Sequence, residues 1–130
     1  MPDYVDDRDG IPDETELLRR IRPDVIVPDA KQASGFRLSS QAFEDSKDGT
    51  PCSVSVRHLA PPVAEICQRY PGYSVALITA QQARDQRQAV CLWPVEREPG
   101  HAYLAGPKTP AVRRALASAA RYVEGPGNWG

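Results

Sequence analysis

The chain has 130 residues, a length typical of one domain, and its 16 basic and 17 acidic residues leave a formal net charge of −1. An apolar share of 41% is enough for a buried core, so folding requires no disulfide or metal ion. The balanced charge does not favour nucleic-acid binding, and no stretch reaches the roughly 18 apolar residues of a membrane span. The sequence also begins without a signal peptide pattern. We therefore expect a cytoplasmic protein with no membrane partner and no nucleic-acid partner.

The N-terminal part of the chain predicts an acidic leader and then a helix. Residues 1–12 carry four aspartates against one arginine and are expected to be flexible. Asp13 and Glu16 have the spacing of a capping box, and Pro23 is expected to end the helix that follows. The apolar stripe of this helix consists of Leu17, Leu18 and Ile21.

Five segments favour β-strands. Alternation of apolar and polar residues from Cys52 to Leu59 indicates a strand with one buried face. The apolar run within 73–79 is typical of a central strand that is buried on both faces. The predicted strands are 24–28, 52–59, 73–79, 89–93 and 101–105.

Three further helices are indicated by their first residues. Pro61 and Pro62 open one, Thr79 caps a short one over residues 80–88, and Thr109 caps the last, with Pro110 at its first position and Gly125 as its end. Residues 29–50 are irregular, with a helical turn near Ser39 or Ser40 and a turn at Asp48-Gly49.

These elements predict an α+β fold. The expected domain is compact and covers residues 13–125, with a mixed sheet of about five short strands and three or four helices packed on it. Residues 126–130 are expected to form a flexible tail in which an exposed Trp129 anchors a partner.

The three cysteines, Cys52, Cys67 and Cys91, are widely spaced and form no C-x-x-C pair. Their apolar surroundings and odd number predict buried free thiols rather than a disulfide framework or a zinc site. His58 and His101 likewise lack the spacing of a metal-binding motif, so we expect no metal ion.

The turn into the last helix is a candidate anion site. Backbone N–H groups at a helix start attract anions, and Lys108, Thr109 and Arg113 could add side-chain contacts. The turn lacks the glycine-rich run of a phosphate-binding loop. The competing interpretation is a well-capped helix with solvated basic residues.

A second candidate site follows from the order of an early arginine (Arg19 or Arg20), the pair Ser39 and Ser40, and the late Glu124. This order resembles the Arg/Ser/Glu order of small NAD-consuming ADP-ribosyltransferases. That resemblance implies an arginine on the pyrophosphate, a serine beside the nicotinamide and a glutamate that stabilises charge on the ribose. The predicted helical positions of the arginines and of Glu124 depart from the family's pattern, and no family is assigned.

Two function classes remain. The preferred one is a small protein-interaction or accessory module without its own catalysis or cofactor, which binds a protein partner or self-associates. The alternative is a small nucleotide- or NAD-using enzyme with Arg19/Arg20, Ser39/Ser40 and the 106–109 turn in its site. The alternative predicts a pocket where Arg19 or Arg20, Ser40 and either His101 or Lys108 converge.

Overall fold

A six-stranded sheet forms the centre of the computed structural model, which describes residues 4–129. The first three residues of the predicted leader and the last residue of the predicted tail lie outside this range. The strands are β1 (Glu16–Ile21), β2 (Ile26–Pro28), β3 (Phe36–Leu38), β4 (Cys52–Val56), β5 (Ser74–Thr79), β6 (Ala89–Leu92), β7 (His101–Ala105) and β8 (Arg121–Glu124). The helices are α1 (Val63–Arg69), α2 (Ala80–Asp85) and α3 (Pro110–Ala119), with short 3-10 turns at Pro23–Val25, Ser40–Phe43 and Arg57–Leu59.

The strand order in the main sheet is β6-β7-β4-β1-β5-β8, and each neighbouring pair is antiparallel. Strands β2 and β3 pair with each other in a separate small sheet. The predicted α+β class and single compact domain are therefore confirmed. The prediction of a mixed sheet was wrong, and the main sheet has one strand more than expected.

Strand β1 occupies the position where the sequence predicted a helix. It pairs with β5 along its whole length, from Glu16 opposite Thr79 to Ile21 opposite Ser74. Leu17 and Leu18 are both buried because consecutive strand residues face opposite sides of a sheet that is covered on both sides. Two adjacent buried leucines and a third apolar residue also fit a helix, and local propensity alone does not distinguish the two.

Most of the core lies on one face of the sheet. Phe43 and Leu116 are fully buried there, contributed by the Ser40–Phe43 turn and by α3. Ala80 and Ala83 of α2 join the same cluster, together with apolar residues of β4, β6 and β7. Burying such large apolar side chains supplies the main driving force for folding.

A smaller core lies on the opposite face. Leu18, Val75 and Leu77 pack there against Ile66 of α1. At seven residues, α1 is about 10 Å long and about as wide. Six strands span about 24 Å at the usual spacing, so α1 covers only part of this face. The part over β4 and β7 stays open.

The C-terminal segment differs from the prediction of a long helix and an exposed tail. Helix α3 ends at Ala119, and Ala120 is extended, so the chain turns into β8 and pairs with β5. Trp129 is buried at 4% exposure, and its Nε1–H donates to Ser74 Oγ at 3.2 Å. The prediction that Trp129 is exposed was therefore wrong. The side chain belongs to the main core and packs edge-on against Tyr122.

Residues 6–11 are attached to α2 by a buried arginine. Arg84 Nε donates to Asp6 at 3.0 Å, Nη1 to Asp13 at 2.9 Å and Nη2 to the Ile11 carbonyl at 2.6 Å. The Arg84 side chain is 5% exposed. Because Ile11 is itself buried, the packed domain begins before the predicted boundary at residue 13.

The other elements follow their local sequence signals. Thr79 and Gln82 form a complete capping box at α2, and Thr109 caps α3 with Pro110 at its first position, as predicted. The predicted strand at 24–28 begins instead as a 3-10 turn, and β4 ends at Val56 rather than at residue 59. Strand β3 lies in the segment predicted to be irregular. None of the helices between residues 4 and 129 is long and apolar enough to cross a membrane.

Candidate functional site

The open part of the smaller face forms a cleft with polar side chains on its floor. Ser55 lies directly opposite Leu18 on β1 and opposite His101 on β7, so these three side chains share the face. Ser53 and Tyr103 form the next pair on that face. The alternation in 52–56 therefore places apolar residues in the main core and serines in the cleft.

The cleft opens where β1 and β4 separate. Their ladder contains only the pairs Leu17–Val56 and Leu18–Ser55, whereas β1 follows β5 for six residues. The guanidinium of Arg19 bridges the gap: Nη1 donates to the Ser53 carbonyl at 2.8 Å and Nε to the Ala42 carbonyl at 3.1 Å. Arg19 thus replaces strand-to-strand hydrogen bonds at one end of the cleft.

Positive charge is concentrated around the cleft, which has a volume of about 470 Å³. This volume lies within the usual range of small-molecule binding sites. The basic residues that line it are Arg19, Arg20, Arg22, Lys47, Arg69 and Arg97, and the acidic residues are Glu44, Asp45 and Glu98. The chain as a whole has a net charge of −1, so the fold gathers cations here from distant parts of the sequence.

Two of the three acidic groups are already paired with cations. Glu44 lies 3.9 Å from Arg22, and Asp45 lies 2.9 Å from Lys108. Among residues 4–129, Arg19, Arg20 and Arg97 form no ion pair with a carboxylate. The cleft therefore carries arginine charge that no protein carboxylate balances directly.

Tyr70 forms one wall of the cleft at the C-terminal end of α1. The Arg20 guanidinium lies over its ring at 3.9 Å from the centroid, a cation–π contact. The ring of Tyr73 packs beside it, with the centroids 6.1 Å apart. An adjoining cavity is lined by Arg69, Tyr70 and Arg97, so Arg97 also lies at this wall.

His101 lies at the start of β7 with a fixed ring orientation. Its Nδ1 is 2.8 Å from the Trp93 carbonyl oxygen. Because a carbonyl can only accept, Nδ1 carries the hydrogen, and in the neutral ring Nε2 is left as an acceptor. Tyr103 packs edge-on against the imidazole at 4.8 Å. In this arrangement, His101 can accept a hydrogen bond from a hydroxyl or amino group in the cleft.

The predicted anion site at the start of α3 does not belong to the cleft. Lys108 Nζ donates to the Leu104 carbonyl at 2.7 Å and pairs with Asp45, with the side chain 7% exposed. Thr109 Oγ1 caps the helix, and Arg113 Nε donates to the Lys108 carbonyl at 3.2 Å. Each of the three side chains therefore already has a hydrogen-bond or ion-pair partner within the protein. Anion binding at this turn stays a prediction.

The pocket expected for the enzyme alternative is assembled only in part. Arg20 and His101 line the same cleft, but Ser39, Ser40 and Glu124 do not. Ser39 Oγ caps the Ser40–Phe43 turn by accepting from the Gln41 N–H, as an N-cap does. The predicted helical positions of Arg19, Arg20 and Glu124 were wrong, since all three lie on strands.

The remaining candidates are separate from the cleft lining. His58 is exposed on the Arg57–Leu59 turn. The cysteines are free, as predicted; Cys52 and Cys91 are buried, and Cys67 is half-buried. Burial raises the pKa of all three thiols, that of Cys91 to about 11 with a further contribution from Asp6 and Asp7. Such thiols are poor nucleophiles because little thiolate forms near neutral pH.

Sequence reasoning missed Ser53, Ser55, Tyr70 and Arg97. The polar positions of the 52–56 alternation were visible in the sequence, but a polar strand face is usually solvent-exposed rather than part of a cleft. Tyr70 and Arg97 carry no local signal, because only the packing of α1 near the β6–β7 loop brings them together. No protein-family model matches the chain, and comparisons with curated proteins and with solved structures also find no match.

Proposed function

We propose that the protein binds an anionic, nucleotide-like small molecule in the cleft. The observation that carries the proposal is that Arg20 and Arg97 line one cleft without a carboxylate partner among residues 4–129. Arg19 lines it as well and adds positive charge, although its guanidinium donates to backbone carbonyls. A planar guanidinium pairs with phosphate or carboxylate oxygens through two parallel hydrogen bonds. An anion in the cleft would balance this positive charge.

The rest of the cleft suits a ligand with an apolar or planar body. Leu18, Ile66 and Val75 form an apolar part of its lining, and Tyr70 and Tyr73 add aromatic surface. Binding sites for small molecules commonly combine such a lining with a few well-placed polar groups. A nucleotide provides both a planar base and a phosphate, whereas a simple inorganic anion uses only the arginines.

The serine and histidine side chains supply the polar contacts that would orient such a ligand. Ser55 and His101 are direct cross-strand neighbours on the cleft face. A serine hydroxyl can donate or accept, and His101 Nε2 accepts in the neutral ring. The hydroxyl groups of a ribose are suitable partners for this pair.

Thermal unfolding in the presence of ATP, ADP and NAD tests the proposal. A ligand at a hundred times its Kd stabilises the folded state by about 2.7 kcal/mol, which is a shift of several degrees in Tm. We expect Arg20→Gln to lose most of this shift. Arg114→Gln removes the same charge from an exposed position on α3 that does not line the cleft, and it should keep the shift. Equal shifts in the two variants, or none in the wild type, would rule the proposal out.

A second candidate is a protein-interaction or accessory module without its own catalysis, which self-associates or binds a protein partner. Val5, Trp93 and Val95 are exposed at 70%, 36% and 43%. Trp93 also packs with Tyr4 and Tyr103, whose rings lie 5.4 and 5.6 Å from it. Exposed apolar and aromatic side chains are common at binding surfaces. A stable dimer in light scattering that Trp93→Ser dissociates, without any nucleotide shift, would favour this candidate.

A further inference from the structure

Arg97 adopts a backbone conformation that few residues other than glycine adopt. It has φ +71° within the turn Val95–Glu98, which is closed by reciprocal backbone hydrogen bonds of 3.2 and 3.0 Å between these two residues. A turn that needs positive φ at its third position favours glycine or asparagine, because a larger side chain crowds the backbone there. The sequence nevertheless places a long, charged residue at this position.

Arg87 is the other non-glycine residue with positive φ between residues 4 and 129, and its conformation has a local explanation. It follows Gln86, the C-cap of α2, and its backbone N–H donates to the Arg84 carbonyl at 2.9 Å. Helices commonly end with one residue in the left-handed region. Arg97 is at no helix end, so helix capping does not account for its conformation.

The loop holds Arg97 in a defined place. The His101 N–H donates to the Glu98 carbonyl at 3.2 Å, and the Val56 N–H donates to the Gly100 carbonyl at 2.8 Å, which ties the base of the loop to β4. From the β6–β7 loop, Arg97 lines the same cavity as Tyr70, and Arg20 contacts the Tyr70 ring from β1. Arg20 and Arg97, on different elements, therefore both lie at the cavity wall that Tyr70 forms.

Given the proposed binding function, on which this inference rests, we propose that Arg97 is a ligand-binding residue and that the ligand carries a pyrophosphate or longer phosphate chain. A carboxylate offers one edge for a bidentate pair with an arginine, and the oxygens of a single phosphate all lie on one phosphorus atom. Two linked phosphates offer separate oxygens to Arg20 and to Arg97. Backbone strain is often retained where a side chain must be presented to a ligand, which agrees with arginine rather than glycine at position 97.

The test is titration calorimetry of the full chain with ADP and with AMP. For the wild type we expect ADP to bind about tenfold or more tightly than AMP, because AMP lacks the second phosphate. Arg97→Gly should weaken ADP binding by about tenfold and leave AMP binding nearly unchanged. Glycine is favoured at this φ, so the variant should keep or raise Tm, which separates a binding role from a folding role.

Arg87→Gly is the matched control, since it removes an exposed arginine and relieves the same kind of backbone conformation outside the cleft. It should keep the wild-type affinity for ADP. Arg97→Asn gives a second variant that tolerates positive φ and should behave as Arg97→Gly. If the wild type binds ADP and Arg97→Gly binds it equally well, the proposal that Arg97 contacts the ligand is wrong, while the proposed binding function stands. If the wild type binds neither nucleotide, the proposed function itself fails.

Discussion

Arg84→Met removes the buried guanidinium that fastens residues 6–11 to α2. The side chain is 5% exposed and donates to two carboxylates and one backbone carbonyl. Methionine has a similar length without the charge, so the variant leaves Asp6 and Asp13 without their buried partner. The Ile11 carbonyl loses its donor as well.

The expected loss in the free energy of unfolding follows from these exposures. Removing one partner of a buried ion pair costs about 3–5 kcal/mol. Asp6 and Asp13 are 26% and 45% exposed, so water compensates part of the loss, and the lower figure of about 3 kcal/mol applies. For a domain of this length, that change lowers Tm by about 10 °C.

Arg8→Met is the matched control. Arg8 pairs with the same two carboxylates, at 3.1 Å from Asp6 and 3.5 Å from Asp13, but its side chain is 64% exposed. An exposed pair contributes less than about 1 kcal/mol. Urea denaturation followed by circular dichroism gives both values. If Arg84→Met lowers the free energy of unfolding no more than Arg8→Met does, burial does not strengthen the ion pairs of Arg84 with Asp6 and Asp13.

Hydrogen exchange tests the local consequence of the same substitution. The Asp7 N–H donates to the Val90 carbonyl at 2.9 Å, which attaches the leader to β6. We expect Arg84→Met to speed exchange at Asp7 far more than in the centre of the sheet, because the leader detaches before the domain unfolds. Unchanged protection at Asp7 would show that Arg84 does not hold this segment.

Three further predictions concern the C-terminal segment and the thiols. Trp129→Ala should lower the free energy of unfolding, measured by urea denaturation, by about 3–5 kcal/mol. The substitution empties a core site and removes the donor to Ser74 Oγ. A loss under about 1 kcal/mol would mean that Trp129 is not packed in solution. Gly125→Ala should lower the free energy of unfolding more than Gly72→Ala in the same assay. Both glycines have positive φ, but an added Cβ would lie 2.6 Å from Ser74 Cα at Gly125 and would meet no atom within 4 Å at Gly72. Equal losses for the two variants would contradict this contact. The Cys91 thiol should react slowly with iodoacetamide at pH 8 in the folded protein and faster in urea, because burial raises its pKa to about 11; equal rates would contradict its burial.

Much of the chain could be predicted because the signal is contained in a few adjacent residues. The caps Thr79 and Thr109 satisfy helix N–H groups locally, so the starts of α2 and α3 could be predicted. The apolar run of β5 and the alternation of β4 likewise report burial directly. These elements account for the confirmed α+β class and single compact domain.

The cleft could be predicted only in fragments. The candidates Arg19, Arg20 and His101 line it, whereas the candidates Ser39, Ser40 and Lys108 do not. Which polar residues share a site depends on strand order, and the strand order depends on contacts between residues that are far apart in the sequence. The pattern of residue types along the chain carries no information on the strand order.

The sequence by itself determined the fold class, the free cysteines and the helices that begin with a strong cap. The tertiary structure decided that residues 16–21 form β1, that residues 121–124 form β8 and that Trp129 is buried. At these positions local propensity is weak, and pairing with β5 or packing into the core contributes more free energy than the helix preference of a few residues. Only the assembled sheet, with one short helix on its smaller face, produces the arginine-lined cleft.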